Sequence, residues 1–149
     1  MKIVRVSGDN KDFVFLCKKL EEFQFGLMPI LRNKGYELTS DLNLVEGFIL
    51  YIDDVAVGSI GLKKITDDVC EIVRVFVSEK YRGKGYAVRL FEKIEALAKE
   101  KGYKRAEMVA WTKAKSALRL YEKLGFEKSE EKISEWFGGF GYVELFKNL

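Results

Sequence analysis

The chain has 149 residues, a formal net charge of +3 and no histidine. The missing histidine excludes a Ser-His-Asp or Cys-His catalytic arrangement and a histidine-based zinc site, so we expect no metal centre. Acid–base chemistry would have to use a carboxylate, tyrosine, lysine, cysteine or water. The small positive charge does not indicate nucleic-acid binding, and it is compatible with an anionic ligand.

The composition predicts one folded domain over residues 1–149. Hydrophobic residues make up 48% of the chain and aromatic residues 13%, which is enough for a proper core. We expect no signal peptide and no membrane association, because no apolar run approaches 18 residues. Two cysteines, Cys17 and Cys70, do not suggest a disulfide framework, so a cytoplasmic location is the default expectation.

Hydrophobic periodicity and turn residues predict the elements of the first half of the chain. They are a strand over Lys2–Val6, a helix capped by Asp9 or Asn10 and running to about Phe25, a short helix over Met28–Lys34, and a hairpin of Gly47–Tyr51 with Val55–Lys64.

The second half predicts a strand that begins near Glu71 and then two further helices between strands. The clearest helix is Tyr86–Lys101, which Gly102 ends. It is followed by a strand over Arg105–Trp111, a helix capped by Thr112 and closed by Gly125, and a strand pair of Phe126–Ile133 with Gly141–Phe146. This order of elements predicts an α+β fold with helices packed on one sheet.

The most informative segment is Glu71–Ala87, whose sequence is EIVRVFVSEKYRGKGYA. A β-rich run leads into a loop with two glycines, Gly83 and Gly85, and the loop opens a helix. Such a turn lets several backbone N–H groups converge, and the helix N-terminus adds the positive end of its dipole. The segment therefore predicts a phosphate site, with a solvated helix-capping turn as the alternative.

The spacing of this loop distinguishes three kinds of phosphate site. An ATP loop would need a Lys-Ser or Lys-Thr pair after its second glycine, which is missing. A dinucleotide fingerprint would need a third glycine where the chain has Val88. The pattern that matches is [Q/R]-x-x-G-x-[G/A], formed by Arg82, Gly85 and Ala87.

A second pattern follows at the expected separation. The helix that ends in Tyr121-Glu122-Lys123-Leu124-Gly125-Phe126 has the form Tyr-x-x-x-Gly-Phe. Together the two patterns resemble the GNAT family of N-acetyltransferases, over about Val55 to Phe126. The resemblance implies a GNAT fold, with a mixed, mostly antiparallel sheet of six to seven strands and helices on both faces. It also implies that acetyl-coenzyme A is the acyl donor.

The same resemblance assigns residues to the coenzyme. The loop would hold the pyrophosphate, and the strand before it would bond the pantetheine arm through its main chain. The N–H of Val75 would polarise the thioester carbonyl. The implied coenzyme-binding residues are Val75, Phe76, Val77, Arg82, Gly83, Lys84, Gly85, Tyr86, Ala87, Thr112 and Lys115.

Two residues are catalytic candidates under this resemblance. Glu71 lies eleven residues before Arg82, where some family members place a general base, although others use water chains. Tyr121 occupies the position of a tyrosine that protonates the leaving thiolate. The structural alternatives are an exposed strand glutamate and a tyrosine that only packs in the core. Cys70 has no histidine to activate it, so direct transfer is favoured.

One position departs from the family pattern. Many members carry asparagine seven residues before the tyrosine, where it bonds the pantetheine, but this chain has Ala114. Either Thr112 or Ser116 replaces that contact, or the contact is missing.

The acceptor is expected to be a small-molecule or peptide amine bound between the first two helices and the late hairpin. Aromatic and acidic residues there would suit an amine cation: Phe23, Phe25, Tyr36, Glu37, Asp41, Trp136, Phe137, Phe140 and Tyr142. The run Trp136–Tyr142 either lines this pocket or packs on a second copy in a homodimer. A non-catalytic acyl-coenzyme A sensor and a nucleic-acid-binding module are the competing functions, and the near-balanced charge argues against the latter.

Overall fold

The computed structural model describes all residues from 1 to 149. It contains eight β-strands in one sheet and four α-helices. The strands are β1 (Lys2–Ser7), β2 (Val45–Ile52), β3 (Val55–Lys64), β4 (Val69–Val77), β5 (Arg105–Trp111), β6 (Glu127–Lys128), β7 (Lys132–Ser134) and β8 (Phe140–Asn148). The helices are α1 (Lys11–Leu27), α2 (Ile30–Asn33), α3 (Tyr86–Glu100) and α4 (Lys115–Lys123), and 3₁₀ turns lie at Leu42–Leu44 and Glu79–Tyr81.

The sheet is antiparallel except at its centre. Its strand order is β1-β2-β3-β4-β5-β8-β6, and β7 also pairs with β8. The one parallel pair is β4 with β5, which helix α3 connects, because two parallel strands need a crossover. The β4–β5 junction therefore lies in the middle of the sheet, with α3 beginning at the end of β4.

Helices cover both faces of the sheet, as the predicted fold class requires. Helices α3 and α4 pack on one face, here called the α3 face, through apolar residues such as Leu90, Phe91 and Ile94. Helix α1 packs on the opposite face, here called the α1 face, where Phe13, Leu16 and Cys17 are fully buried. Residues at i, i+3 and i+4 share one side of a helix, so each helix presents a single apolar stripe to the sheet.

Most predicted elements are present with small changes of boundary. Asn10 caps α1, since its side chain accepts from the N–H groups of Asp12 and Phe13. Helix α2 is shorter than predicted and covers Ile30–Asn33.

The sheet has eight strands instead of six or seven because the late strand is divided. Strands β6 and β7 replace the predicted Phe126–Ile133 strand. Ser129, which lies between them, donates its N–H to the carbonyl of Glu144, and its hydroxyl accepts from the N–H of Glu144. These two bonds use the backbone N–H and carbonyl of Glu144 in β8, so β8 stays hydrogen-bonded at the point where β6 and β7 are interrupted.

The prediction that Thr112 caps the following helix is wrong. Ala114 is the N-cap of α4, and it makes no side-chain hydrogen bond. The N–H and the hydroxyl of Thr112 both donate to the carbonyl of Gly141, at 2.9 and 3.0 Å. Thr112 therefore extends the pairing of β5 with β8.

No helix in this chain combines the length and apolar character needed to cross a membrane. No group of three or more cysteine, aspartate or glutamate side chains is arranged to hold a metal ion.

Candidate functional site

The loop between β4 and α3 leaves the first turn of α3 without hydrogen-bond partners. Gly83 and Gly85 have φ values of +76° and +82°, which glycine adopts without steric cost. Gly85 caps α3 with no side-chain bond, and the backbone N–H groups of residues 83–88 donate to no acceptor within the protein. Unpaired amides at the positive end of a helix dipole form an anion site. The predicted phosphate-binding residues thus lie around one set of free donors.

Arg82 turns its side chain away from this loop. Its Nε donates to the carbonyl of Val77 at 2.7 Å. Its guanidinium lies 4.5 Å from the ring centre of Phe23 and 5.6 Å from that of Phe76, within the range of cation–π contacts. The expectation that Arg82 adds charge at the phosphate is therefore not met by this geometry. Through these contacts the Arg82 side chain connects the loop to β4 and α1. The exposed Lys84 is then the cationic side chain of the loop that is left to meet a phosphate.

Strands β4 and β5 separate beyond their first residues. Their parallel pairing covers only Val69 with Arg105, Cys70 with Ala106 and Glu71 with Glu107. From Ile72 to Val77, β4 pairs only with β3. A wedge-shaped gap, here called the β4–β5 gap, therefore opens toward the glycine loop. Its β4 side is an edge that pairs with no other strand. Apart from the Val77 carbonyl, which accepts from Arg82, this edge can bond an extended ligand as another strand would.

Two main-chain positions of β4 face this gap. Ser78 donates its N–H to Val57 of β3, and successive residues of a strand direct their backbone groups to opposite sides. The main chain of Val77 therefore points away from β3, and so does that of Val75. Phe76, between them, pairs with Ser59 of β3 and buries its ring against α1. Of the three predicted β4 contacts, Val75 and Val77 reach the gap and Phe76 does not.

Tyr121 of α4 is buried in the core of the α3 face. Its residue exposure is 7%, and its ring centre lies 5.6 Å from that of Phe91. The hydroxyl makes no hydrogen bond within the protein, yet it is not among the fully buried polar atoms that lack a partner. The tip of the side chain therefore keeps some solvent contact. Burial raises the pKa of Tyr121 to about 12, so the phenol stays protonated at neutral pH.

Glu71 lies where the β4–β5 gap begins, and it is half-buried on the α1 face. Burial raises the pKa of Glu71, although Lys63 and Arg74 act in the opposite direction. Each neighbouring carboxylate has a cation of its own: Asp41 pairs with Lys63 and Arg74, Glu107 with Arg105, and Glu144 with Lys132. Glu71 has no ion-pair partner, so its carboxylate is free to take a proton.

Known proteins with similar sequences indicate the same family as the glycine loop and the β4–β5 gap. The model of the acetyltransferase (GNAT) family matches residues 15–126. The chain belongs to the GNAT acetyltransferase family. It is 32% identical over 109 residues to the Escherichia coli (strain K12) protein named uncharacterized N-acetyltransferase YjgM, an alignment covering 64% of this chain. The chain spans 65% of that relative's length.

Solved structures share the GNAT fold. The IAA acetyltransferase from Bacillus cereus superimposes with a TM-score of 0.73 at 19% identity, covering 99% of both chains. A GNAT family acetyltransferase from Elizabethkingia anophelis, solved with acetyl-CoA bound, has a TM-score of 0.70 at 18% identity. That alignment covers 99% of this chain and 97% of the other.

The second GNAT pattern differs from the common one at Ala114. Thr112, one predicted substitute for the missing asparagine, commits its hydroxyl proton to Gly141. Ser116 and Lys115 lie in the exposed first turn of α4. A contact from α4 to the coenzyme therefore remains a prediction for these two residues.

Five aromatic residues form a connected cluster at the far end of β5 on the α1 face. Tyr36 contacts Phe25, Trp111 and Phe137 edge-to-face, with ring centres 5.5 to 6.5 Å apart. Trp111 also contacts Phe137 and Tyr142. The cluster joins α1, the segment after α2, β5 and the β7–β8 turn. Phe25, Tyr36, Phe137 and Tyr142, four of the residues predicted for the acceptor pocket, therefore lie together, and their binding of the acceptor stays a prediction.

Other predicted acceptor residues lie outside this cluster. Phe23 stacks on Arg82 beside the glycine loop. Trp136 is 68% exposed, with Lys34 over its ring, and Phe140 lies under Lys113. Glu37 accepts from Thr39 at the surface, and Asp41 is held in ion pairs near Glu71.

Sequence reasoning missed two residues of this site. Trp111 was predicted only as part of a strand. Its position as an aromatic residue at the end of β5 could have indicated that it belongs to the acceptor region. Arg74 gave no signal. It lies in β4 with a φ of +57°, a value that a strand pattern does not reveal.

Proposed function

We propose that this chain transfers the acetyl group of acetyl-coenzyme A to a primary amine by direct attack on the thioester. The observation that carries the proposal is the row of unpaired amides at residues 83–88, placed at the open end of the β4–β5 gap. An anion site beside a free strand edge suits a diphosphate joined to an extended amide-containing arm. A GNAT neighbour from Elizabethkingia anophelis was solved with acetyl-CoA bound, which supports the same choice of donor.

In this proposal the diphosphate binds the loop amides, and the pantetheine arm bonds the β4 edge. The N–H of Val75 donates to the thioester oxygen and stabilises the negative charge that develops there. Glu71 accepts a proton from the ammonium group of the acceptor, directly or through water. The amine nitrogen then bonds the acetyl carbon, the carbon–sulfur bond breaks, and Tyr121 donates a proton to the leaving thiolate. After the bond forms, the nitrogen releases one more proton to solvent and becomes the amide N–H. Solvent then returns a proton to the Tyr121 phenolate and takes the proton held by Glu71.

The raised pKa values of the two residues affect their proposed roles differently. Burial favours the neutral form of both groups. A raised pKa makes the Glu71 carboxylate a better base than an exposed glutamate. A pKa of about 12 keeps the Tyr121 phenol in its proton-donating form at neutral pH, and it also makes the phenol a weaker acid than an ordinary tyrosine.

The acceptor that we propose is a small-molecule or peptide amine, bound on the α1 face between the aromatic cluster and Glu71. No metal takes part in the proposed steps. We propose a cytoplasmic location because both cysteines are free and buried. A homodimer remains one explanation of the exposed ring of Trp136.

A panel of amines with acetyl-coenzyme A and detection of the released thiol tests the proposal. The panel should include small amines, amino-acid derivatives, aminoglycosides and lysine peptides. We expect amine-dependent thiol release with at least one class. Binding of the coenzyme without turnover on any amine would favour the non-catalytic sensor instead.

Replacing Glu71 by glutamine should remove the acidic limb of the pH–rate profile. A general base works only when unprotonated, so the wild-type rate should fall as the pH drops through the raised Glu71 pKa. We expect the variant rate at neutral pH to be about 100-fold lower, and to lack that limb.

The matched control is Glu107→Gln, because Glu107 is the partner of Glu71 in the sheet register but is paired with Arg105. It should keep the rate at neutral pH and retain the acidic limb, moved to somewhat lower pH because the Glu107 charge helps to raise the Glu71 pKa. The Glu71 variant should not be less stable at neutral pH, because a carboxyl with a raised folded-state pKa destabilises the fold when it is charged. A wild-type profile in Glu71→Gln would remove Glu71 as the base and leave a water chain.

A further inference from the structure

Strand β4 contains a β-bulge at its centre. Val73 pairs with Gly61 and Phe76 with Ser59, so two residues, Arg74 and Val75, lie opposite the single residue Ile60. Arg74 has a φ of +57°, which residues other than glycine rarely adopt within a strand. A non-glycine residue persists in this conformation only when surrounding contacts hold it there.

The contacts of Arg74 supply that restraint from both sides. The hydroxyl of Ser59, a fully buried polar side chain, donates to the carbonyl of Arg74 at 2.9 Å. On the α1 face, Arg74 Nε donates to the carbonyl of Leu38 at 3.0 Å, and Nη2 lies 2.5 Å from Oδ1 of Asp41. Its side chain is only 11% exposed.

The bulge decides which face receives this arginine. Ile72 and Val75 pack in the core of the α3 face, and Val73 in that of the α1 face. With regular alternation, the residue after Val73 would return to the α3 face. The extra residue instead keeps Arg74 on the α1 face, together with Glu71, where it meets the segment 36–44.

That segment also reaches the aromatic cluster. Tyr36 contacts Trp111, and the N–H of Leu38 donates to Oε2 of Glu21 on α1. Lys63 of β3 forms a second ion pair with Asp41 at 2.7 Å. Segment 36–44 is thus fixed between β4 and the acceptor end of the site. Leu42 shares a core cluster with Val73 and Phe76 of β4, and the polar attachment of the segment to β4 runs through Arg74.

We propose that Arg74 is a positioning residue that fixes segment 36–44 against β4 and thereby shapes the amine-acceptor side of the site. The inference rests on the proposed acetyl transfer. It predicts that loss of the Arg74 side chain affects the amine more than acetyl-coenzyme A, because no hydrogen bond or ion pair joins the coenzyme loop to this segment.

Arg74→Gly tests the proposal, since glycine accepts a φ of +57° and keeps the bulge while removing both side-chain anchors. Above the acidic limb of the pH–rate profile, we expect the KM for the amine to rise about 10-fold, with kcat and the Kd of acetyl-coenzyme A within about two-fold of wild type. The limb itself should move to higher pH, because Arg74 lowers the Glu71 pKa. Arg74→Lys keeps the positive charge but cannot bond Leu38 and Asp41 at the same time as the guanidinium does. It should therefore restore part of the affinity for the amine that is lost in Arg74→Gly. Arg74→Ala should also lower kcat, because alanine disfavours the bulge conformation.

Hydrogen exchange of peptides covering residues 36–44 gives a readout that does not need turnover. Exchange there should become at least about 10-fold faster in Arg74→Gly, and also in Asp41→Asn, which leaves the β4 backbone untouched. The control is Arg5→Gly, an exposed strand arginine on β1 that is paired with Glu46. It should change neither exchange of that segment nor the amine KM.

Unchanged exchange in Arg74→Gly would overturn the anchoring. Faster exchange with an unchanged amine KM would overturn the role in the acceptor site. Equal losses in amine and coenzyme affinity would indicate a general structural role and contradict the proposal. If the wild type acetylates no amine, the proposed function fails, and the exchange experiment still tests the anchor.

Discussion

Gly85→Asp should bind acetyl-coenzyme A about 100-fold more weakly than wild type. A carboxylate at this N-cap would accept from the free amides of α3 and repel the diphosphate. A loss of about 2.7 kcal/mol is the order expected for like charges at close range near a protein surface. A Cβ at this position meets no atom within 4 Å, so steric clash is not the cause. Isothermal titration calorimetry with acetyl-coenzyme A measures the effect.

The control for Gly85 lies at the other end of the same helix. Gly102 has a φ of +87° and equally open surroundings, but it follows the C-terminus of α3. Gly102→Asp should lose about 1–2 kcal/mol of stability from the left-handed conformation, without the compensation that a carboxylate gains at the N-cap, and should keep its affinity for the coenzyme. Equal affinities in the two variants would mean that the loop does not hold the diphosphate.

Tyr121→Phe should lower kcat about 100-fold while the affinity for acetyl-coenzyme A stays within about two-fold of wild type. Phenylalanine keeps the packing on Phe91, and the lost hydroxyl has no partner within the protein. The melting temperature should therefore change little. Because the Tyr121 pKa is about 12, the wild-type rate should show no loss from this group between pH 6 and 9.

Tyr103→Phe is the matched control for Tyr121. Tyr103 is a partly buried tyrosine that packs against the same core and lies outside the proposed site. Its replacement should leave kcat unchanged. A Tyr121→Phe variant with wild-type kcat would reduce Tyr121 to a packing residue and leave protonation of the thiolate to water.

Local signals in the sequence were sufficient to predict the elements that build the coenzyme side. The glycines of the loop, the periodic apolar residues of α3 and the β-rich run before them each specify a conformation without reference to distant residues. The boundaries of β3 and β5 agree with the prediction to the residue. The fold class followed from the order of these elements.

Side-chain direction was harder to predict than backbone conformation. Arg82 was expected at the phosphate, but a carbonyl of β4 and the ring of Phe23 from α1 draw it to the other side. The partner ring is about sixty positions away in the sequence, and no local pattern connects the two. Thr112 has the residue type of a helix cap, yet Gly141 of β8 takes its hydroxyl. A long-range cation–π contact in the first case, and a long-range hydrogen bond in the second, prevailed over a local preference.

Arg74 shows the limit of pattern reading on a strand. The alternation of β4 gave no sign of an inserted residue, because the bulge depends on pairing with β3 and on the buried hydroxyl of Ser59. A register change of this kind moves a side chain to the other face of the sheet. The Arg74 anchor of segment 36–44 therefore became visible only in three dimensions.

The most direct test of the central claim is a titration of the ¹⁵N-labelled protein with acetyl-coenzyme A, followed by amide NMR. Binding should shift the amide signals of residues 83–88 together with those of Val75 and Val77, and should leave the signal of Phe76 less affected. Binding that shifts amides elsewhere while those of residues 83–88 keep their positions, or no binding at all, would contradict the account.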